Sequence, residues 1–186
     1  HEELDRPRFI EVHRLSEFVE RATDVDVVTD LMIHDIDIVL SLVRSELKYV
    51  SAVGASIVTN HVDIANARLE FEDGAIANVT ASRVSAKRFR RIRVFADACY
   101  LALNFEDQQI EISRPGKRPP DGRFAPIINS SIQVEPTPPL DSELAHFVDC
   151  VRKGKQPLVT GSDGLQALKV AYDVREKIEK SLHSFV

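Results

Sequence analysis

The sequence predicts an α+β fold: an open, mostly antiparallel sheet of about six or more strands with helices packed on one face. Three observations lead to this prediction. A strand and a helix begin the chain, a run of alternating segments fills its middle, and two amphipathic helices end it. Consecutive strands with short links favour antiparallel pairing, and such a sheet can leave one face to solvent, a partner subunit or a ligand.

The first strand is predicted over residues 9–15, where FIEVHRL alternates between apolar and polar side chains. A helix is predicted to begin near Asp30, in the segment DLMIHDIDIVL. Its apolar side chains recur at helical spacing and define the face that should pack against the sheet. These are Ile33, Ile36, Leu40 and Val43.

The middle of the chain reads as consecutive strands. They are predicted over residues 49–59, 62–71, 75–83, 89–96, 100–105 and 109–113. The sequence Glu72-Asp73-Gly74 is a strong hairpin signal between two of these segments. Residues 114–139 hold seven of the nine prolines and are predicted to form a long loop without regular structure.

Two helices are predicted to close the chain, over about 141–153 and 162–182, and Gly154 stands where the first should end. Helical spacing predicts an apolar stripe on each. The first stripe is Leu144, Phe147, Val148 and Val151; the second is Leu165, Leu168, Tyr172 and Ile178.

Bulk properties exclude several classes of function. The 186 residues suffice for one domain, and a net charge of −5 gives no field that would attract nucleic acid or an anionic membrane. No apolar run approaches a membrane span, and the start of the chain lacks the apolar core of a signal peptide. The two cysteines have no metal spacing and are expected to be free thiols in the cytoplasm.

Asp30 and His34 are the most informative pair of residues. A spacing of four puts the carboxylate and the imidazole on one helix face, and an acid beside a histidine is suited to proton transfer near neutral pH. Asp37, three residues after His34, could also contact it. Two alternatives remain open here: Asp30 caps the helix while His34 lies in the core, or the three residues bind a metal.

Two longer segments resemble a known family. DVVTDLMIHDIDIVLSLV and ELAHFVDCVRKGKQPLVTGSDGLQALKVAYDV are similar to sequences in the C-terminal domain of Gfo/Idh/MocA oxidoreductases, and they occur in that domain's order. The resemblance implies that His34 is the general acid/base and Asp30 its partner. It also implies that residues 1–186 form one substrate-binding and oligomerisation domain.

The same resemblance implies a cofactor that this chain does not itself bind. Members of the family bind NAD or NADP mainly through an N-terminal Rossmann domain. This sequence has no GxGxxG segment, so that domain is expected to be absent from the chain and the chain alone to be inactive. The sheet is expected to form a homodimer or homotetramer. The alternative is a non-catalytic dimerising or sugar-binding module.

The substrate is expected to be a sugar, and specifically a nucleotide sugar. HRLSEF, VDIANARLEF and TASRVS resemble the branch of UDP-N-acetylglucosamine 3-dehydrogenases. An arginine-rich stretch at 83–93 would suit a diphosphate; the alternative for most of these residues is a solvated strand face or a charged edge that prevents aggregation. The candidate substrate contacts are Arg14, His13, Asp37, Arg83 and Arg91, and no residue is assigned to a metal.

Overall fold

The computed structural model describes residues 6–20, 24–120, 122 and 124–183. The described strands are β1 (Pro7–Leu15), β2 (Leu47–Ala55), β3 (Ile64–Phe71), β4 (Ile76–Ser82), β5 (Phe89–Ala96), β6 (Cys99–Asn104), β7 (Gln109–Pro115) and β8 (Ile127–Gln133). The described helices are α1 (Ile33–Leu42), which a π-helical turn (Val28–Met32) precedes, α2 (Pro139–Lys153) and α3 (Gly161–His183).

All eight described strands join one open sheet in the order β2-β3-β4-β1-β5-β6-β7-β8. The first strand enters the middle of the sheet, parallel to β4 and antiparallel to β5, and every other pairing among these strands is antiparallel. The predicted fold class, an open and mostly antiparallel sheet in an α+β arrangement, is confirmed.

The core lies between α1 and α3 on one side and one face of five neighbouring strands on the other, namely β2, β3, β4, β1 and β5. Alternation decides which side chains enter it, because successive residues of a strand point to opposite faces. The fully buried members include Ile10, Val12, Val79 and Val94 from the strands, Met32, Ile36 and Val39 from the π turn and α1, and Val174 and Ile178 from α3. We call the face that packs on these helices the helix face and the other the open face.

A buried ion pair joins the start of β3 to the residue after β4. Asp63 is fully buried, and its Oδ1 lies 3.2 Å from Nε of Arg83, which is 4% exposed. Asp63 Oδ2 also accepts backbone N–H bonds from Ile57, Val58 and Thr59 at 2.7, 2.7 and 2.9 Å. The pair therefore fixes the loop that follows β2 to the adjacent ends of β3 and β4.

Two sequence predictions, the unstructured proline-rich loop and the buried stripe of α3, are wrong in part. Residues 127–133 form β8 inside the predicted loop, because IINSSIQ pairs along its whole length with β7. The α2 stripe is exposed, with Leu144, Phe147, Val148 and Val151 between 44% and 65% accessible. In α3, Ile178 is buried as predicted, but the rest of the buried face is Ala167, Val170, Ala171 and Val174 rather than Leu165, Leu168 and Tyr172.

None of the described helices is both long enough and apolar enough to cross a membrane.

Candidate active site

The segment that carries Asp30 and His34 begins at Asp26. Oδ1 of Asp26 accepts backbone N–H bonds from Val28 at 3.0 Å and Thr29 at 2.9 Å, and its Oδ2 lies 2.7 Å from Nε of Arg175 on α3. Asp26 is therefore the capping residue, four residues earlier than the alternative considered from sequence. Asp30 lies half-buried inside the first turn and is not the cap.

A π-helical turn places Asp30 ahead of α1. The backbone N–H of Ile33 bonds to the carbonyl of Val28, a spacing of five residues that local sequence patterns do not reveal. Such turns occur frequently at functional sites because they shift the side chains that follow. Among the bonds of the described residues, none joins the Asp30 carboxylate directly to the His34 imidazole. Their partnership stays a prediction.

His34 is exposed on α1, while its neighbour Asp35 is fully buried. The core-histidine alternative is therefore wrong. The buried side of α1 consists of Asp35, Ile36 and Val39. His34 comes directly before Asp35 in the helix and lies away from this buried side. An exposed imidazole on a rigid helix is free to reach a substrate.

Asp37 lies close enough to His34 to interact with it electrostatically. Burial and the negative charge of Asp163 raise the pKa of Asp37, and the charge of His34 opposes the rise. Asp37 also lines a cavity of about 480 Å³ between α1 and the start of α3, together with Leu158, Asp163 and Gln166. Asp37 and His34 therefore share the solvent side of α1.

Arg14 faces α1 from β1 and is held by Asp35. Its Nε and Nη2 donate to the two carboxylate oxygens of Asp35 at 2.6 and 2.7 Å. Nη2 of Arg90 on β5 lies 3.9 Å from the same carboxylate. The sequence had suggested Arg14 as a contact and Arg90 only as part of the arginine-rich stretch at 83–93, and it had not suggested Asp35. The available signal was an arginine at position 90, two residues from buried Ile92 on the apolar side of β5.

His13 and Arg91 lie on the open face, away from α1. They are register partners across β1 and β5, and the His13 ring is 6.3 Å from the ring of Phe89. Arg91 donates to Glu111 of β7 at 2.9 Å. The structure therefore separates both residues from His34, because the residues beside them, Arg14 and Arg90, take the positions that face the helix.

Arg83 serves the framework instead of an open site. Its guanidinium bonds to the carbonyl oxygens of Val25 and Val62 besides pairing with Asp63. A side chain that is 4% exposed and bonded in this way cannot be reached by a substrate in this conformation. The prediction that Arg83 contacts the substrate is therefore wrong. The described residues also contain no group of three or more ligands placed to hold a metal, including at Asp30, His34 and Asp37.

Comparison with known sequences identifies the domain. Residues 3–101 match the family model of the GFO/IDH/MocA C-terminal domain. The chain belongs to this family. The Gfo/Idh/MocA proteins are NAD(P)-dependent oxidoreductases, and α1 and the strands β1 to β5 lie within the matched part.

Curated relatives are dehydrogenases about twice as long. The chain is 32% identical over 176 residues to UDP-N-acetylglucosamine 3-dehydrogenase from Acidithiobacillus ferrooxidans. This alignment covers 95% of this chain and 56% of that protein. A solved structure of that enzyme superposes with a TM-score of 0.85 at 31% identity, over 94% of this chain and 55% of that one. The chain is 30% identical over 164 residues to scyllo-inositol 2-dehydrogenase (NAD(+)) from Bacillus subtilis, covering 83% and 45%. It therefore spans about half the length of these relatives.

Proposed function

We propose that this chain is the substrate-binding and oligomerisation domain of an NAD(P)-dependent oxidoreductase that oxidises a hydroxyl of a nucleotide sugar such as UDP-N-acetylglucosamine. The observation that carries the proposal is the exposed His34 on α1, in a domain of this family that is 32% identical to a UDP-N-acetylglucosamine 3-dehydrogenase. Family membership supports the reaction class, and the relative's substrate supports the substrate.

His34 acts as the general base in this proposal. Oxidation of a secondary alcohol releases a hydride and a proton, and the bound nicotinamide supplies the hydride acceptor. The imidazole accepts the hydroxyl proton, and it returns the proton when a ketone is reduced. Asp30 orients or charges the imidazole, and Asp37 contributes a second negative charge on the same side of α1.

The starts of the described helices suit a dinucleotide poorly: two carry capping bonds already, and α2 begins at Pro139 after a segment without glycine. A dinucleotide pyrophosphate usually binds at the N-terminus of a helix, where backbone N–H groups are free. Here Asp26 already accepts the N–H groups that begin the π turn and α1, and Asp163 accepts the N–H and hydroxyl of Thr160 at 2.7 Å before α3. We therefore assign cofactor binding to an N-terminal Rossmann domain outside this chain.

The exposed stripe of α2 is the surface on which that domain would dock. Its apolar side chains are Leu140, Leu144, Phe147, Val148 and Val151, and a helix with such a stripe normally buries it. Relatives of about twice the length contain enough further residues to cover it. The open face of the sheet is left for the partner subunit of a homodimer or homotetramer.

We expect the double variant Leu144→Ser/Phe147→Ser to loosen the two domains in the complete polypeptide. Losing two large apolar contacts should cost about 2–5 kcal/mol of docking free energy. Limited proteolysis between the domains should therefore be faster in this variant than in the wild type, by a factor that reflects the lost docking free energy. Asp149→Ser and Lys153→Ser form the control, because their ion pair lies on the side of the same helix opposite the apolar stripe. Equal cleavage of both variants would contradict the docking surface.

A substrate panel tests the proposed function. The complete polypeptide is assayed for NADH and NADPH formation at 340 nm with UDP-N-acetylglucosamine, free N-acetylglucosamine and scyllo-inositol. We expect the highest kcat/KM with UDP-N-acetylglucosamine. Preference for scyllo-inositol would instead indicate the substrate of the other relative, scyllo-inositol 2-dehydrogenase. Binding of UDP-N-acetylglucosamine without any reduction of NAD or NADP would indicate the non-catalytic sugar-binding module instead.

A further inference from the structure

The helix face of β5 carries a cluster of charges that does not balance. Asp35, fully buried, meets the guanidinium groups of Arg14 and Arg90, at 2.6 and 3.9 Å. Glu106, half exposed, lies 3.8 Å from the exposed Arg88 and also acts electrostatically on Arg90. Three arginines thus face two carboxylates, which leaves one positive charge in excess at this place.

Arg90 is the member of the cluster whose bonding is incomplete. Both carboxylate oxygens of Asp35 already accept short bonds from Arg14, so Arg90 interacts with Asp35 only at the longer distance. Its guanidinium carbon lies 4.0 Å from the ring centre of Phe105, and its Nε is buried without a hydrogen-bond partner among the described atoms. Burial and the charge of Arg14 lower the pKa of Arg90, so a bound anion would relieve an unfavourable arrangement.

His34 is the neighbour on α1 of the carboxylate that holds the cluster. Residues on an α-helix advance by about 100° each, so His34 lies about 100° from Asp35 and about 60° from Asp37, between the two around the helix. Asp37 interacts with Asp163 at the start of α3, whereas Asp35 meets Arg14 and Arg90 on the strands. Beyond β5, the helix face of β6, β7 and β8 has no described helix packed over it.

We propose that Arg90, positioned by the Arg14–Asp35 pair and the ring of Phe105, binds the diphosphate of a nucleotide-sugar substrate whose sugar reaches His34. The proposal rests on the function proposed above and assigns its anionic subsite. A guanidinium recognises phosphate oxygens with a planar pair of N–H donors, and stacking on an aromatic ring holds that plane in place. The neighbouring Arg91 also has a buried Nε without a described hydrogen-bond partner, but it lies on the open face of the sheet and its Nη2 donates to Glu111.

The test compares Arg90→Gln with Arg91→Gln in the complete polypeptide. Isothermal titration with UDP, which needs no turnover, should show Kd raised by about tenfold or more in Arg90→Gln and unchanged in Arg91→Gln, because only the first variant loses a charged hydrogen bond to the diphosphate. In steady-state assays, KM for UDP-N-acetylglucosamine should rise similarly while kcat changes little. Thermal unfolding of both variants checks that the fold is retained.

The same data show which ligand supplies the anion, and they test the anionic subsite and the proposed reaction separately. A raised KM for NAD with an unchanged KM for the nucleotide sugar would assign Arg90 to the cofactor and overturn the inference. Equal UDP affinities in the wild type and Arg90→Gln, or a wild type that binds no UDP, would also overturn it. If UDP binding depends on Arg90 but no nucleotide sugar is oxidised, the subsite stands and the proposed reaction fails.

Discussion

His34→Ala in the complete polypeptide is expected to lower kcat by about 10²–10⁴-fold, the usual range for loss of a general base. The protein should remain folded, because His34 is exposed and α1 is held by other side chains. Met32, Ile36 and Val39 are fully buried, and Asp26 caps the segment. The measurement is steady-state oxidation of the sugar, with circular dichroism and thermal unfolding on the same samples.

His61→Ala is the matched control for this substitution. His61 is also exposed, but it lies in the loop after β2 that Asp63 fixes, away from α1. We expect this variant to retain the wild-type kcat. A His34→Ala enzyme with unchanged kcat would remove the proton-transfer role, and a variant that unfolds would show that His34 contributes to packing despite its exposure.

Asp63→Asn is expected to have the largest effect on stability, a loss of about 3–5 kcal/mol in the free energy of unfolding. The substitution keeps the shape of the side chain but removes the negative charge that pairs with the buried Arg83 guanidinium. It also replaces an oxygen by an amide nitrogen, which cannot accept the N–H bonds of Ile57 and Val58 if it points toward them. Urea unfolding at neutral pH measures the loss.

Asp97→Asn provides the control for an ion pair in solvent. Asp97 lies 3.0 Å from Nε of Arg8, and both side chains are more than half exposed. Such pairs contribute about 0–1 kcal/mol, so this variant should unfold close to the wild type. Similar losses in both variants would contradict the special position of Asp63.

The stability of the wild type should fall in acid partly because of Asp63. Burial raises the pKa of Asp63, but the N–H donors of residues 57–59 and the Thr59 hydroxyl outweigh it and hold the pKa well below the usual aspartate range. A pKa lower in the folded than in the unfolded state gives stability that is complete above about pH 4 and lost as the pH falls below it. The Asp63→Asn variant should lack this part of the acid dependence.

Sequence patterns identified the elements well where the signal is local. Strand alternation, the Glu72-Asp73-Gly74 hairpin and the segment around His34 needed no tertiary information. The strand β8 was not predicted, because the short segment that forms it lies between prolines, and prolines favour a loop. The exposure of the α2 stripe could not be predicted either, because a helical pattern marks the apolar side of a helix but does not show what packs against it.

The candidate site was predictable only in part, for a physical reason. Alternation separates Arg90 from Arg91, but it does not say which face meets the helices. The pairing of Arg14 with Asp35 depends on how α1 crosses β1, and the burial of Arg83 depends on Asp63, twenty residues away in the chain. Ion pairs of this kind arise from tertiary packing, which a single sequence does not encode locally.

The measurement that tests the central claim most directly is sugar oxidation by the complete His34→Ala enzyme with and without added imidazole. Because His34 is exposed, its removal leaves a gap that a free imidazole can enter from solvent. The account predicts a rate that is strongly reduced without imidazole and rises with its concentration, whereas the His61→Ala enzyme should not respond. A wild-type rate in His34→Ala without imidazole would contradict the claim that His34 transfers the proton.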